Sequence, residues 1–247
     1  MTEDLRDAAS KFSAVYPVMD NVALRRLRGL KIAAILLEAL RTKSPGILLD
    51  VGCSNGIVLD VVAEKLSPTF ALGIDMDAAV APPPVPGRVV AVADAMAIPL
   101  AADCVDVVIC NHTYEHVPDP VQMFGEIHRV LKPGGIVYFS AMNARWPMEP
   151  HYHMPFLHWL PDAAAAWLLR RFGYGSAYLE KPLSTVGLRK LVQNFAIEDY
   201  TLKVIEQPAK YYAQDLFKMP GLGALYLLIA RLFYGLLPGY LWILTKR

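Results

Sequence analysis

The chain has 247 residues, 24 Lys+Arg against 23 Asp+Glu, and a net charge of +1. That length suits one α/β domain with a full core, and the even charge argues against a nucleic-acid partner, which calls for a large basic excess. Three cysteines (Cys53, Cys104, Cys110) make no disulfide framework and lack zinc-site spacing, and the polar, acidic start Met-Thr-Glu-Asp-Leu-Arg-Asp carries no apolar leader, so a cytoplasmic protein is expected.

From about Val18 to Leu40 apolar residues recur at helical spacing, with Arg25, Arg26, Arg28 and Lys31 marking a polar side. Thr42–Gly46 breaks that helix. Ile47–Val51 is a continuous apolar run, as in a strand buried on both faces. A helix over Ile57–Leu66, a strand over Phe70–Ile74, a stiff connector over Pro82–Pro86 and strands over Val89–Ala93 and Val105–Cys110 follow. Asp119 with Pro120 reads as an N-cap and first helical residue, and the helix runs to Leu131 before Lys132-Pro-Gly-Gly135. Ile136–Ala141 is the fifth strand. Strands alternating with helices at this spacing make a parallel, doubly wound sheet with helices on both faces.

Beyond residue 141 the pattern changes. Residues 142–161 are rich in Pro, His, Trp and Met without a period. A helix over Asp162–Phe172 is closed by Gly173, and Ser184 caps another running to Asn194. Ile197–Ile205 and Tyr240–Thr245 read as two more strands, with an apolar helical insertion over 211–237 between them. The mean hydropathy is +0.32 and the excess lies late: from Gly221 to Leu244 the only charged residue is Arg231. Gly235, Pro238 and Gly239 interrupt this stretch, and Arg231 at mid-bilayer would cost about 2.5 kcal/mol or more, so a membrane span is disfavoured. Leu225, Leu228, Ile229, Leu232 and Leu236 share one helical face, and residues 201–247 hold six Lys/Arg against two acids. An apolar stripe with basic flanks suits peripheral contact with a membrane surface; packing over the sheet or in a homodimer interface is the other expectation.

The strand Ile47–Val51 runs into the turn Gly52-Cys-Ser-Asn-Gly56, and Asp75 closes the next strand 19 residues after Gly56. A strand, a glycine turn, a helix and an acid at that distance is a nucleoside-binding arrangement, with the acid accepting from ribose hydroxyls. A nicotinamide dinucleotide is disfavoured because the turn lacks the second glycine of G-x-G-x-x-G.

Four stretches in order resemble the class I S-adenosylmethionine-dependent methyltransferases: Leu49–Gly56, Gly73–Asp77, Ala93–Pro99 and Glu115–Pro120, the last leading into Glu126–Gly135. The match covers about residues 45–141. The resemblance implies a Rossmann-like seven-stranded sheet, six strands parallel and the last antiparallel. It also implies one methyltransferase domain over 1–247: a helical cap (1–44), a cofactor-binding core (45–141), an acceptor-side lid (142–196) and the 211–237 insertion. The cofactor implied is S-adenosyl-L-methionine, with S-adenosyl-L-homocysteine as product.

By the same resemblance, Gly52 and Gly56, with Cys53 and Ser54 between them, let the turn approach the cofactor's methionine portion and ribose. Asp50 positions the turn or takes the amino group, Asp75 accepts from the ribose hydroxyls, and Met76 packs on the adenine. Asp94 and the amide of Ala95 meet the adenine amine, and Asn111 and His112 border the reacting methyl. Ser54 departs from the family, where glycine is common.

On the acceptor side, Glu149-Pro-His-Tyr-His-Met154 opens a histidine-rich stretch ending at Pro161. A hydroxyl acceptor profits from a nearby base, so His151 and His153 are the catalytic candidates. Glu149, His151 and His153 lack a clear metal-site spacing, and no metal is expected. The expected acceptor is a glycan, a lipid-linked saccharide or another lipid-like molecule, methylated on oxygen. A quinone or other apolar small molecule comes second, and a non-catalytic cofactor-binding interaction module third.

Overall fold

The computed structural model describes residues 21–41, 44–77, 87–174, 178, 180–214 and 223–247. The stretch before Asn21, the Pro82–Pro86 connector and part of the expected insertion (215–222) lie outside the described residues. A seven-stranded sheet forms the centre, built from β1 (Ile47–Val51), β2 (Phe70–Asp75), β3 (Arg88–Val92), β4 (Val105–Asn111), β5 (Leu131–Met142), β8 (Phe195–Asp199) and β9 (Gly239–Lys246). Strands β6 (Met148–Glu149) and β7 (Met154–Pro155) pair apart from it as a small hairpin.

The strand order is β3-β2-β1-β4-β5-β9-β8. Pairings among the first five strands are parallel, while β9 runs antiparallel to both β5 and β8. The chain order reverses between β1 and β4, which opens a crevice at the carboxyl ends of the strands where such sheets bind ligands.

Alternate residues of each strand feed two apolar layers. In β1, Leu49 joins the layer under α3 (Pro120–Val130) and α5 (Thr185–Leu191). Its neighbour Leu48 joins the opposite layer, under α1 (Val22–Leu40), α2 (Ile57–Leu66) and α6 (Thr201–Glu206). Gly29 lets α1 cross α2 closely, since a Cβ there would lie 2.7 Å from Val61 Cβ. The expected caps form: Asp119 accepts from the backbone N–H groups of Val121 and Gln122, and Ser184 Oγ accepts from Gly187. Helix α4 (Asp162–Phe172) ends on left-handed Gly173, as its sequence predicts.

The helix that Ser184 caps ends at Leu191 rather than at the expected Asn194, and two further boundaries differ from expectation. The sixth strand was expected over Ile197–Ile205, but β8 stops at Asp199 and residues 201–206 are helix α6. Asp199 Oδ1 accepts from the N–H of Thr201 at 2.8 Å and turns the chain there. The second is Lys132–Gly135, which does not separate α3 from β5 but lies within β5 as an irregularity, with Val105 opposite Leu131 and Val107 opposite Ile136. Lys132 Nζ donates to both Asp106 oxygens, at 2.8 and 2.9 Å, and ties the bulge to β4.

Of the expected insertion, Gly223–Leu232 is helix α7 and Tyr234–Leu236 a 3-10 turn. Leu225, Leu228, Ile229 and Leu232 of α7 are all exposed, Leu232 by 69%, and Ala230 is the buried residue of the helix. No helix among the described residues is long and apolar enough to cross a membrane.

Candidate cofactor and acceptor site

The turn after β1 is bound to β2 through its backbone: the N–H groups of Gly52 and Cys53 both donate to the carbonyl of Ile74, at 2.8 and 3.1 Å. Gly52 has φ +76°, and a Cβ there would lie 2.7 Å from both Thr113 Oγ1 and Cγ2. Thr113 Oγ1 in turn donates to the carbonyl of Val51 at 2.8 Å. The turn therefore needs glycine at 52 for its conformation and for the room that Thr113 takes. Cys53 folds back onto β2, where a Cβ on Gly73 would meet its Sγ at 2.6 Å. Gly56, φ +74°, begins α2.

Asp75 ends β2 half-buried and organises both sides of the crevice. Its Oδ2 accepts from the N–H of Ser54 at 2.7 Å and its Oδ1 from the N–H of Asp77 at 2.9 Å. Met76 follows it, also half-buried. Asp94, beyond β3, accepts from the N–H of Met96 at 2.8 Å, with Ala95 buried beside it. Asp50 is buried at the end of β1; burial and the neighbouring Asp75 push its carboxyl up to about 7 despite the pull of Arg25.

Arg25 was expected on the solvent side of its helix. It is instead buried above the turn, donating to Asn55 Oδ1 at 2.9 Å and Ser54 Oγ at 3.3 Å. One arginine among four basic residues carries no sequence signal that singles it out.

Asn111 and His112 lie half-buried at the carboxyl end of β4. Both ring nitrogens of His112 are engaged: Nδ1 with Glu115 Oε1 at 3.2 Å and Nε2 with Ser140 Oγ at 3.0 Å. Burial works to raise the Glu115 carboxyl, yet the His112 hydrogen bond and charge outweigh it and hold the group below the usual range. His116 is driven down to about 4, chiefly by burial.

The histidine-rich segment expected on the acceptor side meets the loop after β4 through His151 and His116. Glu149, fully buried, accepts from the N–H of Tyr152 at 2.7 Å and lies 2.7 Å from His151 Nδ1. The His151 ring meets His116 edge-on, centroids 5.3 Å apart. His153 is exposed on the same loop, with φ +53°. Tyr152, Leu157, Ala165, Leu169 and Tyr178 give this segment its own small core. No set of three His, Cys, Asp or Glu side chains among the described residues is arranged to hold a metal ion.

The donor and acceptor chemistry fits a nucleoside carrying an ammonium group. Asp50, Asp75 and Asp94 present acceptors at the ends of three adjacent strands, against the ammonium, ribose hydroxyl and exocyclic amine donors of such a molecule.

A family model described as a methyltransferase domain matches residues 24–193. An uncharacterized methyltransferase of Mycobacterium leprae is 37% identical over 125 residues, 49% of this chain and 45% of its own length. One of Mycobacterium tuberculosis is 41% identical over 83 residues, covering 33% of this chain and 32% of its own. The chain thus spans less than half the length of these relatives. Among solved structures, the plantazolicin methyltransferase BpumL, in complex with a desmethylPZN analog and SAH, superposes with a TM-score of 0.59 at 14% identity, covering 99% of this chain and 96% of that one. A chain from the complex of the Haloferax volcanii Trm112 activator with a putative methyltransferase gives 0.57 at 16% identity, covering 100% and 99%. These superpositions speak for the fold.

Proposed function

Because the chain belongs to the methyltransferase-domain family, we propose that it moves the methyl group of S-adenosyl-L-methionine onto an oxygen of a lipid-like acceptor, a glycan or lipid-linked saccharide presented at a membrane surface. When bound, the cofactor supplies a methyl already activated on a sulfonium. What the protein must add is alignment of the acceptor, exclusion of water and, for a hydroxyl, a base.

We assign cofactor binding to the crevice side: Asp50, Asp75 and Asp94 as acceptors, the Gly52–Gly56 turn with Cys53 and Ser54 as a backbone cradle, and Met76 and Ala95 along the adenine. Asn111 and His112 border the transferred methyl. His151 is the proposed base, with His153 on the same loop as its alternative. The acceptor class rests on one observation above all: the large apolar side chains of α7 point outward. Phe156, Trp159 and Trp167 on the acceptor side are exposed as well, and aromatic rings of this kind suit a membrane interface. Asn143 Nδ2 donates to the carbonyls of Gly235 and Leu237, beyond α7, while Trp159 Nε1 donates to the carbonyl of the adjacent Ala144.

The test is mass spectrometry of lipid and glycan extracts from host cells with and without the protein. A species heavier by one CH2 in the lipid or lipid-linked fraction is expected. A heavier quinone or other small molecule would place the acceptor in the second class. Cofactor binding with no methylated species anywhere would leave an interaction module.

A further inference from the structure

We propose that Arg28 and Lys31 on α1 form a site for a phosphate group, the headgroup phosphate of a lipid-linked acceptor. This rests on the reading of the acceptor as a lipid-linked saccharide.

The four basic residues of α1 divide among different neighbours. Arg25 grips the turn after β1, and Arg26 acts on Asp60 of α2. Arg28 and Lys31 follow each other at a spacing of three, which makes them neighbours on the helix surface, and like charges so placed repel. Arg28 is exposed, while Lys31 is half-buried. Burial, and then the Arg28 charge, lower the Lys31 ammonium below its ordinary value. Among the described residues neither side chain pairs with a carboxylate. Elsewhere the chain pairs its cations: Lys132 with Asp106, Lys203 with Glu38 and Glu198, Arg129 with Glu126. A guanidinium beside a partly desolvated ammonium, with no acid to offset them, costs the fold stability. A phosphate supplies what they lack, since its oxygens match the planar fork of arginine and accept from the lysine as a point charge.

The place of the pair suits a molecule with a saccharide on one side of its phosphate and a lipid on the other. The Arg28 charge reaches Tyr138 of β5, whose buried hydroxyl has no partner in hydrogen-bonding geometry. Ser140 follows two residues on in the same strand and meets His112 Nε2 at 3.0 Å, beside the proposed position of the methyl. In the other direction α1 shares its apolar layer with α6, through Ile32, Ile35 and Val204. Helix α6 packs against α7, where Leu225, Leu228, Ile229 and Leu232 are exposed.

The probe is dihexanoyl phosphatidic acid below its micelle concentration, a lipid phosphate that dissolves as single molecules. In isothermal titration the wild type should bind it, and the double variant Arg28→Gln with Lys31→Met should bind about tenfold more weakly or less, with affinity for S-adenosyl-L-methionine kept. Inorganic phosphate should compete for the same residues but bind more weakly than the lipid. Equal affinity for the free anion would make this a free-phosphate site and overturn the acceptor assignment. Wild-type affinity for the lipid in the double variant would overturn the site, and so would a matching loss of cofactor binding. Lys31→Met alone gives a readout that needs no ligand. It should melt above the wild type in calorimetry, because an unpaired, half-buried charge has gone, and the lipid should raise its melting temperature less than that of the wild type. A lower melting temperature with an undiminished lipid response would make Lys31 a packing residue and overturn the site. Binding through the pair with no heavier lipid in the host extracts counts against the lipid-linked acceptor and supports the anion site alone.

Discussion

Asp50 is a carboxyl the fold alone would be better without. Burial and Asp75 raise it to about 7, so between about pH 4 and 7 the folded chain holds a proton that the unfolded chain has released. Stability from this group therefore falls as pH rises through that window. Asp50→Asn removes the dependence, and its melting temperature should gain on the wild type from about pH 5 to pH 8 in thermal scans without cofactor. The same variant should bind cofactor more weakly, since the ammonium loses its counter-charge. Asp75 carries a separate prediction. It holds Ser54 and Asp77 as well as the proposed ribose contacts, and hydrogen bonds to charged groups are worth about 1.5–3 kcal/mol. Asp75→Ala should weaken cofactor binding about 10- to 100-fold by isothermal titration calorimetry, and undiminished binding would remove the crevice as the cofactor site.

At the level of elements, α1 reaches the site through Arg25, which grips Ser54 and Asn55 in the turn. Arg25→Ala should cost about tenfold in cofactor affinity, with calorimetry as the check, because the turn loses its outer hydrogen bonds. A change in melting temperature with unaltered affinity would make Arg25 a packing residue only. The sequence made β1, β2 and β4 legible because strands buried on both faces are largely apolar, broken only by Asp50 in β1, the terminal Asp75 in β2, and Asp106 and the terminal Asn111 in β4. It made α3 legible because Asp119 and Pro120 mark its start. It hid the end of β8: Leu202, Val204 and Ile205 have strand character, and the deciding event is one side-chain cap by Asp199. The site divided in the same way. Asp75 and the glycine turn are adjacent to their strands and can be read by spacing. The partners of His112 and His151 depend on which loops meet at the carboxyl end of the sheet, and the place of Arg25 depends on how α1 crosses α2, which no local pattern encodes.

For the whole molecule, one end of the sheet gathers the crevice, the acceptor-side hairpin and the turn that leads from α7 into β9. If the outward face of α7 meets lipid, Leu228→Glu with Leu232→Glu should abolish flotation with anionic liposomes while leaving cofactor affinity intact. Equal flotation of the double variant and the wild type would return that face to a protein partner. The order of strands has a different consequence, for how the chain is made. Strand β9 follows β8 in sequence yet lies between β8 and β5, so synthesis and assembly run in different orders. A growing chain keeps the far side of β5 open, and β8 has no neighbour to join, until residues 239–246 emerge. An unpaired edge next to a finished apolar layer is a template for pairing between chains. Nascent chains halted before residue 239 are therefore the ones that most need a chaperone.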